Sequence, residues 1–259
     1  MFTIIQAEIS KLKRKKIKIG IFVFTTLLAV FVVERAIHIP RTSEIMDSFG
    51  DLYTLAFKNM SVLFLPVVLG MFGTSLFFDE YSGNTLKELL IIPITKTQIY
   101  FSKITLVFGL SFLICMYTFI ITIVGANIAG GFPDFNTQTI LEAFILFLEG
   151  SILIPLSMLP IIVFAVAGKS YLLPIGITLM YILPVIVVPA PLMGLHPLAS
   201  SLSIYSYSSS VANDMVVRMT QISKTMITIP SYTVSIISIL AITGLSIVLS
   251  LYLLKKQTL

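Results

Sequence analysis

The stretch FFDEYSGNTLKELLIIPITKTQIYFSK, residues 77–103, breaks two long apolar runs with acids, a glycine, a short amphipathic pattern and a proline. Asp79 and Glu80 close the first run and mark where it meets water. Ser82-Gly83-Asn84 is turn chemistry, with Gly83 able to take positive φ without strain. Thr85 and Glu88 have capping-box spacing, the threonine capping a helix and the glutamate reaching back. Leu86, Leu89 and Leu90 then share one face, while Lys87 and Glu88 face elsewhere. Pro93 stops that helix after about two turns. Thr95 and Gln98 repeat the capping-box spacing and open the next apolar run. The order is long apolar run, short capped helix, long apolar run.

Outward from this stretch the chain is built for hydrocarbon. Its 259 residues are 57% hydrophobic and 11% charged, with a mean hydropathy of +1.02. A soluble domain carries roughly a quarter charged residues. About 20 apolar residues cross a bilayer core as a helix, and the uncharged stretches Ile104–Pro133, Ser170–Asn213 and Thr225–Leu254 all reach that length. The composition predicts an all-α polytopic membrane protein of one bundled domain. Six spans are expected, near 17–37, 59–78, 98–128, 140–167, 171–193 and 232–254. The layout becomes an N-terminal interfacial helix (1–16), spans one and two (17–78), a cytoplasmic loop (79–97) and spans three to five (98–193). An outer segment (194–231) and span six with its tail (232–259) complete it.

Charge placement orients the bundle. Six basic residues from Lys11 to Lys18 crowd the first membrane entrance. Beside a span, such a run marks the cytoplasmic flank and not a nucleic-acid site. With both termini inside, twelve of the 17 basic residues fall on the cytoplasmic side and Arg35, Arg41, Lys58, Arg218 and Lys224 outside. No small-residue cleavage site follows Ile19–Val33, so this run is expected to be a retained span and not a signal peptide. Phe2, Ile5, Ile9 and Leu12 recur at helical spacing opposite Gln6, Glu8, Lys11 and Lys13, which suits a helix lying in the interface; a solvated terminus is the alternative. The outer segment is long for a compact bundle. It reads either as short helices against the outer leaflet or as a polar loop.

Ionisable residues and prolines inside the spans are the other candidates. Glu142 and Glu149 lie seven apart, on nearly one helical face. An acid as deep as Glu149 needs a wet cavity or a partner. It reads as a polar contact for a cationic or amphipathic cargo, or as a structural group paired with Lys58 or Arg35 or held protonated. Pro155, Pro160, Pro174, Pro184, Pro189 and Pro191 kink spans four and five and free carbonyls, for hinge motion or for packing alone. His38 and His196 are candidates for a hydrolase only if they meet Glu142 or Glu149. One cysteine and two histidines argue against a disulfide framework or a His/Cys metal cage.

The motif DEYSGNTLKELLIIPITKTQIYFSK resembles the cytoplasmic loop of type-2 ATP-binding-cassette (ABC) exporter permeases. In that family an acid-aromatic-x-Gly-x-Thr segment leads to a short coupling helix and a Pro-x-Thr/Ser-basic turn. Glu80, Gly83, Thr85, Leu89, Leu90, Pro93 and Lys96 match position by position. Lys96 stands where arginine is usual, and Asn84 where threonine is frequent. The length resembles the small permeases of bacitracin export and lantibiotic immunity. The resemblance implies that Leu86–Ile92, with Leu86 and Lys87, seats in a groove of a cytoplasmic ATPase present in two copies. A second permease, identical or paralogous, is implied, together with the bilayer of a bacterial cytoplasmic membrane. ATP and Mg would sit on the partner, since this chain has no Gly-x-x-x-x-Gly-Lys-Ser/Thr loop; no cofactor and no enzyme activity of its own are expected. The rival readings are an ATP-independent secondary transporter using Glu149 and an intramembrane enzyme.

Overall fold

The computed structural model describes residues 2–14, 17–39, 47–82, 95–168, 172–187, 196–208 and 232–256. Among these residues every regular element is a helix. In chain order they are α1 (Phe2–Arg14), α2 (Ile17–His38), α3 (Phe49–Asn59), a π turn (Met60–Phe64), α4 (Leu65–Ser82) and α5 (Lys96–Ala129). Then come α6 (Thr137–Ser157), α7 (Leu159–Ala167), α8 (Leu172–Val187), α9 (Pro197–Ser208) and α10 (Tyr232–Lys256). Among the described residues, five helical stretches are long and apolar enough to cross a membrane: Ile19–His38, Phe49–Phe78, Lys96–Ala129, Thr137–Ala167 and Tyr232–Lys256. A sixth, shorter apolar helix covers Leu172–Val185. The protein is a polytopic helical bundle, with the shorter apolar helix α8 standing where the fifth span is expected; residues 188–193 of that expected span lie outside the described residues.

The second span starts ten residues before its expected limit, because Phe49–Asn59 is helix and not outer loop. Its N-terminus is capped twice. Ser48 Oγ accepts from the Asp51 amide at 3.1 Å, and Asp51 Oδ2 accepts from the Ser48 amide at 3.3 Å. From the turn after α5, Asp134 accepts the Phe49 amide at 2.6 Å and the Gly50 amide at 3.0 Å. A carboxylate there satisfies orphan amides and opposes the helix dipole. Phe49 packs edge-on to Phe132 and Phe135 of the same turn. Lys58, expected outside, therefore lies within the helix and is partly buried. The π turn follows from Pro66. A proline lacks its amide and clashes with the carbonyl four residues back; the wider turn, closed by the Leu65 amide on Met60 O, relieves this.

The hydrophobic core runs from Phe49, Leu52 and Tyr53 through Leu69 and Phe72 to Phe147, Ile154 and Ile162. Glycines mark close helix contacts. A Cβ on Gly150 of α6 would lie 2.5 Å from Phe57 of α3, and one on Gly70 of α4 would lie 2.5 Å from Thr178 of α8. Small residues at membrane helix crossings permit such approach. The outward faces of α2, α5, α8 and α10 carry exposed Leu27, Phe112, Met180 and Val248, among others, surfaces whose natural neighbour is lipid.

Three expectations are refined. α1 is a helix packed on α5, and its apolar stripe is not simply the side turned to protein. Glu8 is only 6% exposed and pairs with Lys11 at 2.9 Å, whereas Ile9 is 41% exposed. Amphipathic spacing reveals a stripe, and it does not say which flank meets protein and which meets lipid. In the outer segment, α9 is a buried helix against α10 and α6. Its Leu198, Ala199, Ser200, Ser201 and Ile204 are enclosed, so 197–208 is not a polar loop; residues 209–231 lie outside the described residues. The fourth span is broken at Met158, between Pro155 and Pro160.

Candidate functional site

The loop singled out in the sequence leaves α4 and enters α5. Gly83, Thr85, Leu86, Lys87, Leu89, Leu90 and Pro93 lie outside the described residues. Glu80 lies in the last turn of α4. The outgoing leg is built as its spacing predicts: Gln98 N donates to Thr95 Oγ1 at 3.3 Å, and Thr95 N to Gln98 Oε1 at 3.2 Å. α5 has 34 residues, about 51 Å at roughly 1.5 Å per residue. That exceeds a hydrocarbon core of about 30 Å, so α5 has several turns to spare beyond it.

Lys96 reaches across from α5 to the end of the last span. Its Nζ donates to the Leu254 carbonyl of α10 at 2.9 Å. Leu254 O is among the last four carbonyls of that helix, which have no partner within it. One turn on, wholly buried Tyr100 packs its ring 6.1 Å from Phe77 and neighbours Ser250 of α10. One more turn on, Lys103 is 1% exposed. Its ammonium donates to the Leu76 carbonyl of α4 and lies 5.3 Å from the Phe77 ring centre. A buried lysine survives only with such partners. Sequence reasoning counted Lys103 as a flanking charge; its place three residues after Tyr100 and seven after Lys96, on one helical stripe, was the available signal.

The acids of α6 stay apart from the histidines. Glu142 accepts from Gln138 Nε2 at 3.2 Å. Glu149 lies beside the Gly150–Phe57 crossing, and its shielded Oε2 has no hydrogen-bond partner among the described residues. It forms no ion pair there, so the pairing with Lys58 or Arg35, one of the alternatives for this acid, is not formed; Arg35 lies over Phe31. His38 pairs with Glu34 at 3.5 Å, and the His196 ring lies tilted with its centre 4.3 Å from that of Tyr181. Among the described residues neither histidine reaches Glu142 or Glu149, so the His–Glu pairing that a hydrolase reading needs is not formed there. A cavity of about 10 Å³ beside the π turn, lined in part by Thr25, Asn59 and Thr118, has room for about one water and none for cargo.

The freed carbonyls of the broken span are taken by other spans. Pro160 cannot donate to Leu156 O, and Thr243 of α10 does so at 3.3 Å. The Ile161 amide bonds Met158 O at 3.1 Å and leaves Ser157 O to Tyr181 Oη of α8, at 2.6 Å. The break is therefore a junction of α6, α7, α8 and α10.

Fold and site together define a polytopic helical membrane protein whose polar contacts brace helices and flank a loop, without a convergent cluster of three His, Cys, Asp or Glu side chains among the described residues. The chain matches the ABC-2 family transporter proteins over residues 4–185, more than two thirds of its length, and it belongs to that family. It is thus a membrane permease component of an ABC transporter, a component that works with an ABC ATPase. No curated protein matches it.

Proposed function

We propose that the chain is the permease of an exporter that moves a peptide antibiotic or another amphipathic compound out of a bacterial cell or its cytoplasmic membrane. Two copies of a cytoplasmic ATPase, carrying ATP and Mg, drive it, and a second permease, identical or paralogous, completes the pathway. Loop 79–97 is the docking element, with Glu80, Gly83, Thr85, Leu86, Lys87, Leu89, Leu90 and Pro93 shaping or presenting its helix. The observation that carries this reading is the bracing of the loop's legs: Thr95 caps the outgoing leg and Lys96 ties it to α10, while Lys103 ties it to Leu76 of the incoming leg. A helix of about two turns is unstable alone in water, and it can transmit a push only from fixed ends. Glu149, half-buried with its Oε2 shielded and without a hydrogen-bond partner among the described residues, supports a polar contact for cationic cargo along α6, with Glu142 nearer its start.

The test is purification in mild detergent from cells co-expressing the flanking genes, followed by bacitracin or lantibiotic challenge of those cells. An ATPase should accompany the native chain, and Leu89→Asp or Leu90→Asp should lose it while still inserting. Undiminished resistance in both variants would sink the docking role. The shielded Glu149 also favours a second reading, ion-driven transport. Resistance that collapses with the proton gradient at constant ATP, and is abolished by Glu149→Gln, would establish it instead.

A further inference from the structure

We infer that Lys96 is a positioning residue, one arm of a joint that makes the last span follow the cytoplasmic loop, and not part of the surface that contacts the ATPase. The inference rests on the docking role proposed for that loop. Lys96, Tyr100 and Lys103 stand at i, i+4 and i+7 and form one stripe on the first turns of α5. Lys96 binds Leu254 O at the end of α10, across 158 residues of sequence. Lys103 binds Leu76 O near the end of α4. Tyr100 lies between them, against Phe77 of α4 and beside Ser250 of α10. Three helix ends therefore meet at the outgoing leg of the loop.

The chemistry suits force transmission. Each lysine places a cation on a carbonyl of another helix, and for Lys96 that carbonyl lies at the negative end of the α10 dipole. Purely apolar helix contacts can slide along one another. A charge-assisted bond of defined direction resists both separation and rotation. A docking residue would present its ammonium to the partner. The Lys96 ammonium gives at least one of its three donors to α10 in a partly buried bond. A displacement of Thr95–Lys96 thus pulls directly on the end of α10, whose Ser246 and Thr243 lie further up the same helix and whose Thr243 holds the broken fourth span.

The experiment uses the full chain with its ATPase in nanodiscs and reads hydrogen exchange over residues 249–256 with and without ATP plus vanadate. Native chain, Lys96→Arg, Lys96→Met and Lys96→Gln are compared. Lys96→Met and Lys96→Gln are expected to retain the ATPase as the native chain does. Their nucleotide-dependent change in exchange should shrink at least fivefold, with Lys96→Arg close to native. Loss of the ATPase from both uncharged variants would make Lys96 a docking residue and overturn the inference, as would an undiminished change. If the native chain itself retains no ATPase, the functional reading fails separately. The joint is then judged on the chain alone: exchange of the last turn of α10 at least fivefold faster in Lys96→Met but not in Lys96→Arg upholds it, and equal rates overturn it.

Discussion

Replacing Tyr181 with phenylalanine removes one oxygen and leaves Ser157 O stranded in a buried kink. Proline at 160 and the shift of the Ile161 amide to Met158 O leave no backbone donor for that carbonyl, and the tyrosine hydroxyl reaches it at 2.6 Å. An unsatisfied buried acceptor costs about 1–3 kcal/mol, whereas interhelical hydrogen bonds in membranes average about 0.6 and reach about 1.7 kcal/mol. Ser157 is fully buried and the bond is short, so the upper part of the membrane range applies, about 1.5 kcal/mol. At about 2–4 °C per kcal/mol for a chain of this size, Tm should fall by roughly 3–6 °C. Thr243→Val, whose bond to Leu156 O is longer at 3.3 Å, should lose about 0.5 kcal/mol, near the membrane average. The lone cysteine, Cys115, is buried, so reaction with a thiol-reactive fluorophore on heating reports unfolding. A Tyr181→Phe protein that melts at or above the native temperature would refute the bracing of the kink.

Other consequences are open to the same assay. Gly150→Ala places a Cβ 2.5 Å from Phe57 Cε2, and that ring is held edge-on by Phe147; overpacking of about 1–3 kcal/mol should outweigh the helix-propensity gain of about 1 kcal/mol, and Phe57→Leu should rescue it. Asp134→Ala exposes the Phe49 and Gly50 amides at the start of α3 and should cost about 1 kcal/mol, as loss of a helix cap does; a neutral result would mean that the Ser48–Asp51 box suffices alone. Burial holds His196 below its usual pKa range despite a contact with Tyr181. The unfolded chain then takes the proton first, so stability should be constant above the ordinary histidine value and fall as pH drops below about 6.5. His196→Gln should flatten that slope, measured as Tm between pH 8 and 5, and an unchanged slope would place the titration elsewhere.

Local features were legible in the chain and distant ones were not. The Thr95–Gln98 box was readable because donor and acceptor lie three residues apart, and the break near Pro155 and Pro160 because proline acts on its own helix. The start of the second span was hidden. Asp51 and Lys58 look like loop charges, although one is half of a capping box and the other lies within α3. Half of that N-terminus is supplied by Asp134, more than 80 residues away, where the sequence shows only a turn. Glu8 and Ile9 differ by 100° on a helix, so the spacing identified the stripe but not which side faces α5. Lys96 was recognisable as the basic residue of a motif, but its partner is a backbone carbonyl, which has no sequence identity to read.

The junction at Met158 also constrains biogenesis. The fourth span enters the bilayer with Leu156 O and Ser157 O unclaimed, and their donors are made only later, Tyr181 first and Thr243 some sixty residues after it. An exposed carbonyl in hydrocarbon is costly, so the newly inserted span should stay near water, lipid headgroups or the insertion machinery until both arrive. A ribosome stalled before α10 would thus hold a chain with one acceptor still open. Truncation there should yield a protein that inserts yet is cleared by membrane proteases, with the fourth span as its weak point.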